Sequence, residues 1–302
     1  MELCIDFGGS EIKLGIVERG TPVRTDAVPA GDGDLEKVVA AAQALISDAS
    51  PVAAGIAVPG VVDREAGTLV KAHGKHPGLS GFDLIAWARE SFGLPAVIEN
   101  DARAALVGEI STGSAAGARD AVLMTLGTGI GTAAVIDGTV LRGAHDHAGI
   151  LGGHLTVDLD AGLCNCGNVG CAESIAGAWA IRRDLAARGD AVTDVREMFA
   201  AAEAGDGAAI ALRDRAIRAW GATAVSLCHA YDPDVVILSG GILRAGGAVA
   251  APIGAYVARH LWTSSHRPAF VVPERPELSV LRGLSILATT ALAADDPSHK
   301  EH

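Results

Sequence analysis

The chain carries one local pattern twice: an apolar strand, a glycine-rich turn and a second apolar strand. The first copy runs through Asp6-Phe7-Gly8-Gly9-Ser10-Glu11-Ile12-Lys13. The second runs through Leu126-Gly127-Thr128-Gly129-Ile130-Gly131, about 120 residues on. That spacing is far too long for a solenoid repeat and fits two domains of similar topology. Glycine lets backbone N–H groups approach a phosphate with no Cβ in the way, and Ser10 and Thr128 add hydroxyl donors. Neither turn has the GxxxxGK[ST] form. The second is not a dinucleotide fingerprint either, because strand rather than helix follows it. Either turn alone is equally an ordinary hairpin. The pair, taken with the clusters below, points to phosphate.

A length of 302 residues suits one large domain or two ordinary ones, and 49% apolar with 20% charged residues describes a globular chain with a real core. The formal net charge of −12 argues against non-specific binding to nucleic acid or anionic membrane. Met1–Gly9 contains Asp6 and reads as a strand, not as a secretory signal. The longest uncharged stretch, Ala121–Ile136, is interrupted by glycine and threonine and is too short and polar to span a bilayer. A cytoplasmic location is the expectation, with no nucleic-acid or membrane partner.

Strands are predicted over Glu2–Asp6, Glu11–Val17 and Thr21–Val28, then over Val52–Val58 and Ala96–Glu99. Asp34 is the expected N-cap of a helix over Leu35–Asp48, and Asn100 that of a helix reaching about Ile110. Phe82–Phe92 reads as helix. After a Ser/Gly/Ala-rich candidate hinge, Ser111–Arg119, come strands Ala121–Leu126 and Thr132–Asp137 around the turn Gly127–Gly131. Helices over Ser174–Arg188, Val195–Ala204 and Ala208–Tyr231 lead to strand Val235–Leu238 and Ser239-Gly240-Gly241. A last helix covers Leu284–Ala294, and Asp295–His302 form a polar tail. Trp87, Trp179, Trp220 and Trp262 are read as packing residues, Cys4 and Cys228 as buried fillers.

Two constellations carry chemistry. His154-x9-Cys164-x-Cys166-x4-Cys171 supplies one imidazole and three thiols, with Asn165, Gly167, Asn168 and Gly170 allowing a tight loop. Four soft or borderline ligands describe a closed, structural tetrahedral Zn²⁺ site, with free thiols as the alternative. Glu99-Asn100-Asp101 ends a buried strand and opens a helix. The helix dipole keeps Asp101 ionised, as a general base must be, and equally allows it a purely structural role in the first turn; N-capping is the plain alternative for Asn100. Asp6, at a strand end, suits either a Mg²⁺-associated carboxylate or a satisfied structural one.

These pieces, in this order, resemble the ROK family of sugar kinases and sugar-responsive repressors, in the actin/hexokinase/Hsp70 superfamily. The resemblance spans nearly the whole chain. Its most specific part is Gly153-His154-Leu155-Thr156-Val157-Asp158 followed by Cys164-Asn165-Cys166-Gly167-Asn168-x-Gly170-Cys171-x-Glu173. Val58-Pro59-Gly60-Val61-Val62-Asp63, Glu99-Asn100-Asp101-Ala102, both glycine turns and Leu238-Ser239-Gly240-Gly241 match further motifs.

The resemblance implies an α/β fold of two ribonuclease H-like, actin-like ATPase domains flanking a cleft. The first covers residues 1–112, with a C-terminal helix, about 286–302, packing back. The second covers 113–285 and holds a zinc loop at 154–171. ATP and a hexose are the implied substrates, with Mg²⁺ and structural Zn²⁺, and the chain is expected to be a homodimer. Asp101 would take the proton of the sugar 6-hydroxyl. Asn100, His154 and Glu173 would bind sugar hydroxyls, His154 also ligating zinc with Cys164, Cys166 and Cys171. Asp6, Gly8, Gly9, Ser10 and Lys13, then Gly127, Thr128 and Gly129, would serve phosphates and Mg²⁺. Gly240 and Gly241 would line the adenosine.

One departure stands out. Leu151 occupies the position of a glutamate three residues before the zinc histidine, so a sugar-binding carboxylate is missing. Either the sugar differs there, or affinity is lower, or His145, Asp146 or His147 substitutes. Family repressors carry a DNA-binding segment ahead of the phosphate motif; with that motif starting at Asp6, a kinase is expected over a repressor. A sugar-binding protein without catalysis and a polyphosphate-using kinase are the remaining readings.

Overall fold

A computed structural model describes residues 1–71, 76–189, 192–245 and 247–295; the tail expected beyond residue 295 lies outside the described residues. The chain divides into two units, residues 1–117 with 142–148 and 275–302, and residues 118–141 with 149–274.

In the first unit, β1 (Glu2–Phe7), β2 (Glu11–Glu18) and β3 (Thr21–Pro29) form an antiparallel meander. Helix α1 (Asp34–Ile46) follows, then β4 (Ala53–Val58) pairs parallel with β1. A small hairpin, β5 (Val61–Asp63) with β6 (Thr68–Lys71), and α2 (Leu84–Phe92) lead to β7 (Ala96–Asn100), parallel to β4. The sheet order is β3-β2-β1-β4-β7. β1 and β4 are buried at every position, as parallel strands covered on both faces must be. One face packs Leu3, Ile5, Ile12, Leu14 and Ile56 against Val38 and Ala42 of α1 and Leu84 and Trp87 of α2.

The other face sets Cys4, Val17 and Ala57 against Ala104 of α3 (Asp101–Thr112) and Leu278, Leu281 and Leu284. These leucines belong to the C-terminal helix, Ser279–Asp295, and the turn before it. Residues Pro276–Ala294 are apolar and long enough to cross a membrane, at mean hydropathy 1.3, and this packing shows where the apolar face goes. A Cβ on Gly283 would lie 1.8 Å from Ala104 O, and one on Gly108 2.1 Å from Ser279 O, so the two helices touch backbone to backbone. Glu109, fully buried, accepts from Ser279 Oγ through one oxygen and from Ser114 N and Oγ, both at 2.7 Å, through the other.

The second unit repeats the scheme. β8 (Ala121–Leu126), β9 (Ile130–Ile136) and β10 (Thr139–Val140) form a meander. Helices α4 (Ala172–Ala176), α5 (Ala178–Arg188), α6 (Val195–Glu203) and α7 (Gly207–Tyr231) intervene before β11 (Val235–Ser239) joins parallel to β8. Helix α8 (Gly247–His260) then precedes β12 (Ala269–Val271), parallel to β11. The order β10-β9-β8-β11-β12 mirrors the first sheet. The core centres on Trp220, fully buried, whose Nε1 donates to Ala176 O at 3.0 Å.

Several expectations change. Gly33, not Asp34, is the N-cap of α1, and no side chain caps it. The helix expected over Ser174–Arg188 is two, broken at the extended residue Gly177, where a Cβ would lie 2.8 Å from Glu173 O. The second turn is shorter than expected, because pairing resumes at Ile130 opposite Leu126. Helix α8 is absent from the sequence expectation; it holds Pro252, yet buries Val249, Ile253 and Val257 at helical spacing. Trp262 is no packing residue: it lies beyond α8 and is 92% exposed.

Candidate functional site

Parallel strands in each unit end at the same edge of their sheet, the edge where open α/β sheets bind ligands. In the first unit that edge carries Asp6, at the end of β1, and Asn100, at the end of β7, held in register through Ala57 and Val58 of β4. Asp6 is 7% exposed and pairs across the hairpin with Lys13. The Phe7–Ser10 turn is tightened by Gly8 N donating to Asp6 O at 2.9 Å, and a Cβ on Gly8 would lie 2.5 Å from Glu11 O. Gly9 and Ser10 face solvent.

Asn100 is the N-cap of α3, its Oδ1 accepting from Arg103 N at 3.1 Å. Its Nδ2 donates to Gly60 O at 2.9 Å and to Asp101 Oδ1 at 3.1 Å. Ala102 N donates to the same Asp101 oxygen at 2.8 Å. Two donors and the positive end of α3 thus orient a half-buried carboxylate.

Behind it, Glu99, 1% exposed, is surrounded by cations. It pairs with Arg142 Nη1, while Arg103 Nη1 lies at 3.6 Å and Arg64 Nε at 3.9 Å. Arg103 Nη2 also donates to Asp146 O at 2.9 Å and Ala148 O at 2.8 Å. These bonds explain why residues 142–148 group with the first unit although their neighbours in sequence belong to the second. Burial lowers the Arg103 pKa, against the pull of Glu99 and Asp146. Sequence reasoning missed this cluster, because only the fold brings Arg64, Arg103 and Arg142 to one carboxylate. The ring centroids of His145 and His147 in the same segment are 6.5 Å apart.

In the second unit the corresponding edge carries Gly127–Gly129 after β8 and Gly240–Gly241 after β11, with Ser239 in register with Thr125. Gly240 packs on β8 where it enters the second turn: with φ +98°, its Cβ would lie 2.3 Å from Leu126 O. At Gly127 and Gly241 neither packing nor φ requires glycine, since a Cβ at each would meet open space. Glu173, on α4, reaches this turn. Its Oε2 accepts from Ile130 N at 2.8 Å and its Oε1 from Trp179 Nε1 at 3.3 Å. Trp179 N in turn donates to Thr128 O at 3.2 Å. Trp179, expected only to pack, thus also holds Glu173 against the turn.

His154, Cys164, Cys166 and Cys171 bring their ligand atoms within 4.8 Å of one another. Cys166 Sγ and Cys171 Sγ are 3.7 Å apart, as are Cys164 Sγ and His154 Nδ1. A disulfide needs about 2.05 Å. A tetrahedron with Zn–S bonds of about 2.3 Å has edges of about 3.8 Å, so the four residues fit a zinc ion, with Nδ1 as the histidine ligand. In the metal-free cluster burial pushes the Cys171 thiol up to about 12, whereas hydrogen bonds from Asn168 and neighbouring thiols draw the Cys166 thiol down against its own burial. Zinc would hold the loop shut and supply no chemistry. The loop packs on β9: Gly152 N donates to Thr132 Oγ1 at 2.9 Å, and a Cβ on Gly153 would lie 2.2 Å from Ile130 O. Cys171 caps α4 two residues before Glu173, tying the metal loop to the second turn. Leu151, at the position expected to lack a carboxylate, is 41% exposed.

Two units of one strand order, each ending in a glycine turn, define the class of the actin/hexokinase/Hsp70 two-domain fold. A model of the ROK family matches residues 2–291, and the chain belongs to that family. It is 32% identical to a glucokinase of Thermotoga maritima over 280 residues, 86% of this chain and 88% of the relative. An N-acetylmannosamine kinase of Citrobacter koseri is 31% identical over 255 residues, 82% of this chain and 86% of the relative. Among solved structures, a ROK hexokinase from Thermus thermophilus matches at 31% identity and TM-score 0.84, covering 97% of this chain and 99% of that one. A ROK family glucokinase from Streptomyces griseus, in complex with glucose and AMPPNP, matches at 28% identity and TM-score 0.81, covering 96% and 99%.

Proposed function

We propose that the protein is a sugar kinase that transfers the γ-phosphate of ATP to the 6-hydroxyl of a hexose. The observation that carries this reading is Asp101, a carboxylate oriented by Ala102 N and Asn100 Nδ2 at the start of α3. A loose phosphoryl-transfer transition state asks the base chiefly to position the hydroxyl, and an ionised carboxylate at a helix N-terminus can do so. Asp101 Oδ2 would accept the hydroxyl proton as the sugar oxygen bonds to the γ-phosphorus and the bond from that phosphorus to the β,γ-bridging oxygen breaks, ADP leaving with the bridging oxygen. Asn100, His154 and Glu173 would hold further hydroxyls. Gly8–Ser10, Lys13 and Gly127–Gly129 would hold phosphates; Gly127 N already donates to Gly129 O at 3.0 Å, and the open space at Gly127 leaves the rest of the turn's backbone approachable. Gly240 and Gly241 would face the nucleoside. Mg²⁺ would neutralise phosphate charge, and Asp6, a nearly buried strand-end carboxylate, is the hard oxygen donor suited to it. The relatives named glucokinase, and the glucose and AMPPNP complex of one of them, support the reading.

Exposed Leu151 in place of the family carboxylate favours a second reading, in which the substrate is another hexose or an amino sugar. The N-acetylmannosamine kinase relative points the same way. A sugar-binding protein without catalysis is the remaining alternative. ADP release over a panel of hexoses and amino sugars separates them: one strongly stimulating sugar identifies the substrate, and no stimulation by any member ends the kinase proposal. The family resemblance also implies a homodimer, which light scattering tests.

A further inference from the structure

His76 was not singled out by its sequence context, yet it is 42 residues from one partner and 68 from the other, and its side chain is only 3% exposed. Its Nε2 donates to Gly8 O at 2.9 Å, and its Nδ1 lies 2.8 Å from Asp34 Oδ2. The ring stands edge-on to Phe7, centroids 5.7 Å apart. Asp34 is fixed in turn, its Oδ1 accepting from Gly31 N at 2.7 Å. This explains why Asp34 does not cap α1: its carboxylate is used on the ring and on the preceding loop.

We propose that the His76–Asp34 pair is a positioning device for the first phosphate turn, aiming the Gly9 N–H at a phosphate of the bound nucleotide. The inference rests on the kinase reading of that turn. The Gly8–Gly9 peptide is trans, so its carbonyl and its N–H lie in one plane and point opposite ways. A hydrogen bond that fixes Gly8 O therefore also fixes the direction of Gly9 N–H. Such a restraint matters at this peptide, because adjacent glycines allow it to rotate at little cost. Gly8 is itself confined by Glu11 O, leaving the carbonyl direction as the freedom to be set.

Charge fixes which face the phosphate takes. His76 and Gly9 line a pocket of about 540 Å³ together with Asp32, Asp34 and Glu36. With Asp34 taken up by His76 and Gly31 N, Asp32 and Glu36 still make that side unfavourable for phosphate, so the anion belongs on the opposite face, toward which the N–H of a peptide with its carbonyl on His76 is turned. His76 touches no reacting atom in this scheme; it acts through the backbone of Gly8 and Gly9.

The test compares His76→Leu, which keeps apolar bulk against Phe7 and loses the donor, with His76→Gln, whose amide can still donate to Gly8 O. AMPPNP with Mg²⁺ is titrated into each protein calorimetrically without sugar, and KM is measured separately for ATP and for the best sugar of the panel. The expected result is an AMPPNP Kd and an ATP KM raised about tenfold in His76→Leu, with the sugar KM within about twofold of wild type and His76→Gln close to wild type on all three. A purely structural histidine would not split the two KM values. Wild-type AMPPNP affinity in His76→Leu, or an equal loss in both variants, overturns the inference while leaving the kinase reading intact. Failure of the wild-type protein to bind AMPPNP removes both. If His76→Leu does not fold, Asp34→Asn takes its place: weaker AMPPNP binding with an unchanged sugar KM supports the pair, and unchanged AMPPNP binding overturns it.

Discussion

Oε2 of Glu173 accepts the backbone N–H of Ile130 at 2.8 Å, so a carboxylate suited to sugar hydroxyls also closes the second glycine turn. A Cβ on Gly129 would lie 2.3 Å from that same oxygen, which makes glycine at this position a condition of Glu173 reaching the turn. Glu173→Gln replaces a charge-assisted acceptor by an amide of the same shape. Hydrogen bonds to charged groups are worth about 1.5–3 kcal/mol, so the sugar KM is expected to rise by about tenfold or more. Gly129→Ala is expected to lower kcat/KM at least as far, because the methyl displaces the carboxylate. Steady-state kinetics check both, and a Glu173→Gln enzyme with wild-type sugar KM would take Glu173 out of sugar binding.

Asp101→Asn keeps the helix start, since an amide oxygen can still accept from Ala102 N, and removes only the proton acceptor. Positioned general bases contribute about 10²–10⁴-fold, so kcat is expected to fall in that range with the sugar KM changed little. Stopped assays over long times with fresh protein measure the residual rate. Turnover at the wild-type rate would leave the sugar hydroxyl deprotonated by something else.

What was legible in the sequence was local. The two glycine turns, the Asn100 cap and the His/Cys spacing are signals written within a few residues, and the repeated meander follows from alternation and turn chemistry. What was not legible depends on partners far along the chain. Asp34 looked like a cap because caps are local, and the His76 ring that takes it lies 42 residues on. Glu99 looked like the end of a buried strand, and only folding brings it Arg64 and Arg142. Helix α8 carries Gly, Ala and Pro252, and it buries Val249, Ile253 and Val257 in the second core. Gly108 and Gly283 serve contact between two helices distant in sequence, which no local signal marks.

Removing zinc should be visible without any assay of activity. The cluster's thiols sit within 4.8 Å of the other ligand atoms, and Cys4 and Cys228 are buried outside it. Native protein is therefore expected to react slowly with a thiol reagent at all five cysteines. A chelator should expose Cys164, Cys166 and Cys171 to rapid reaction and lower Tm by several degrees, because metal binding contributes to the folded state. Because the Cys171 thiol stands near 12 when metal-free, zinc uptake should release protons and weaken as pH falls. Less than about half an equivalent of zinc in fresh protein would contradict the assignment.

Cys228 gives an alkaline signature. Burial, with Asp232 nearby, pushes its thiol up from 9.0 to about 11. Between those values the unfolded chain loses a proton that the folded chain keeps, so the contribution of this group is full below pH 9.0 and declines as pH rises toward 11. Urea midpoints measured from pH 8 to 11 should fall less steeply for Cys228→Ala than for wild type. Identical slopes would mean that the thiol ionises alike in both states.

Arg103 offers the sharpest stability test, because its side chain is fully buried and its partners are known. Nη1 lies 3.6 Å from Glu99 Oε1, and Nη2 donates to two carbonyls of the 142–148 segment, Asp146 O and Ala148 O. Arg103→Met keeps much of the volume but strips Glu99 of one cation and leaves both carbonyls short of a donor. Removing one partner of a buried ion pair costs about 3–5 kcal/mol. Arg142, still bonded to Glu99, should hold the loss near the lower end. Adding Glu99→Gln to Arg103→Met also takes the carboxylate from Arg142 and Arg64, so the double variant is expected to be less stable than Arg103→Met but to lose less than the sum of the two single losses. Urea unfolding of the wild type, both single variants and the double variant measures the coupling directly. Additive losses would show that the two side chains stabilise the fold independently.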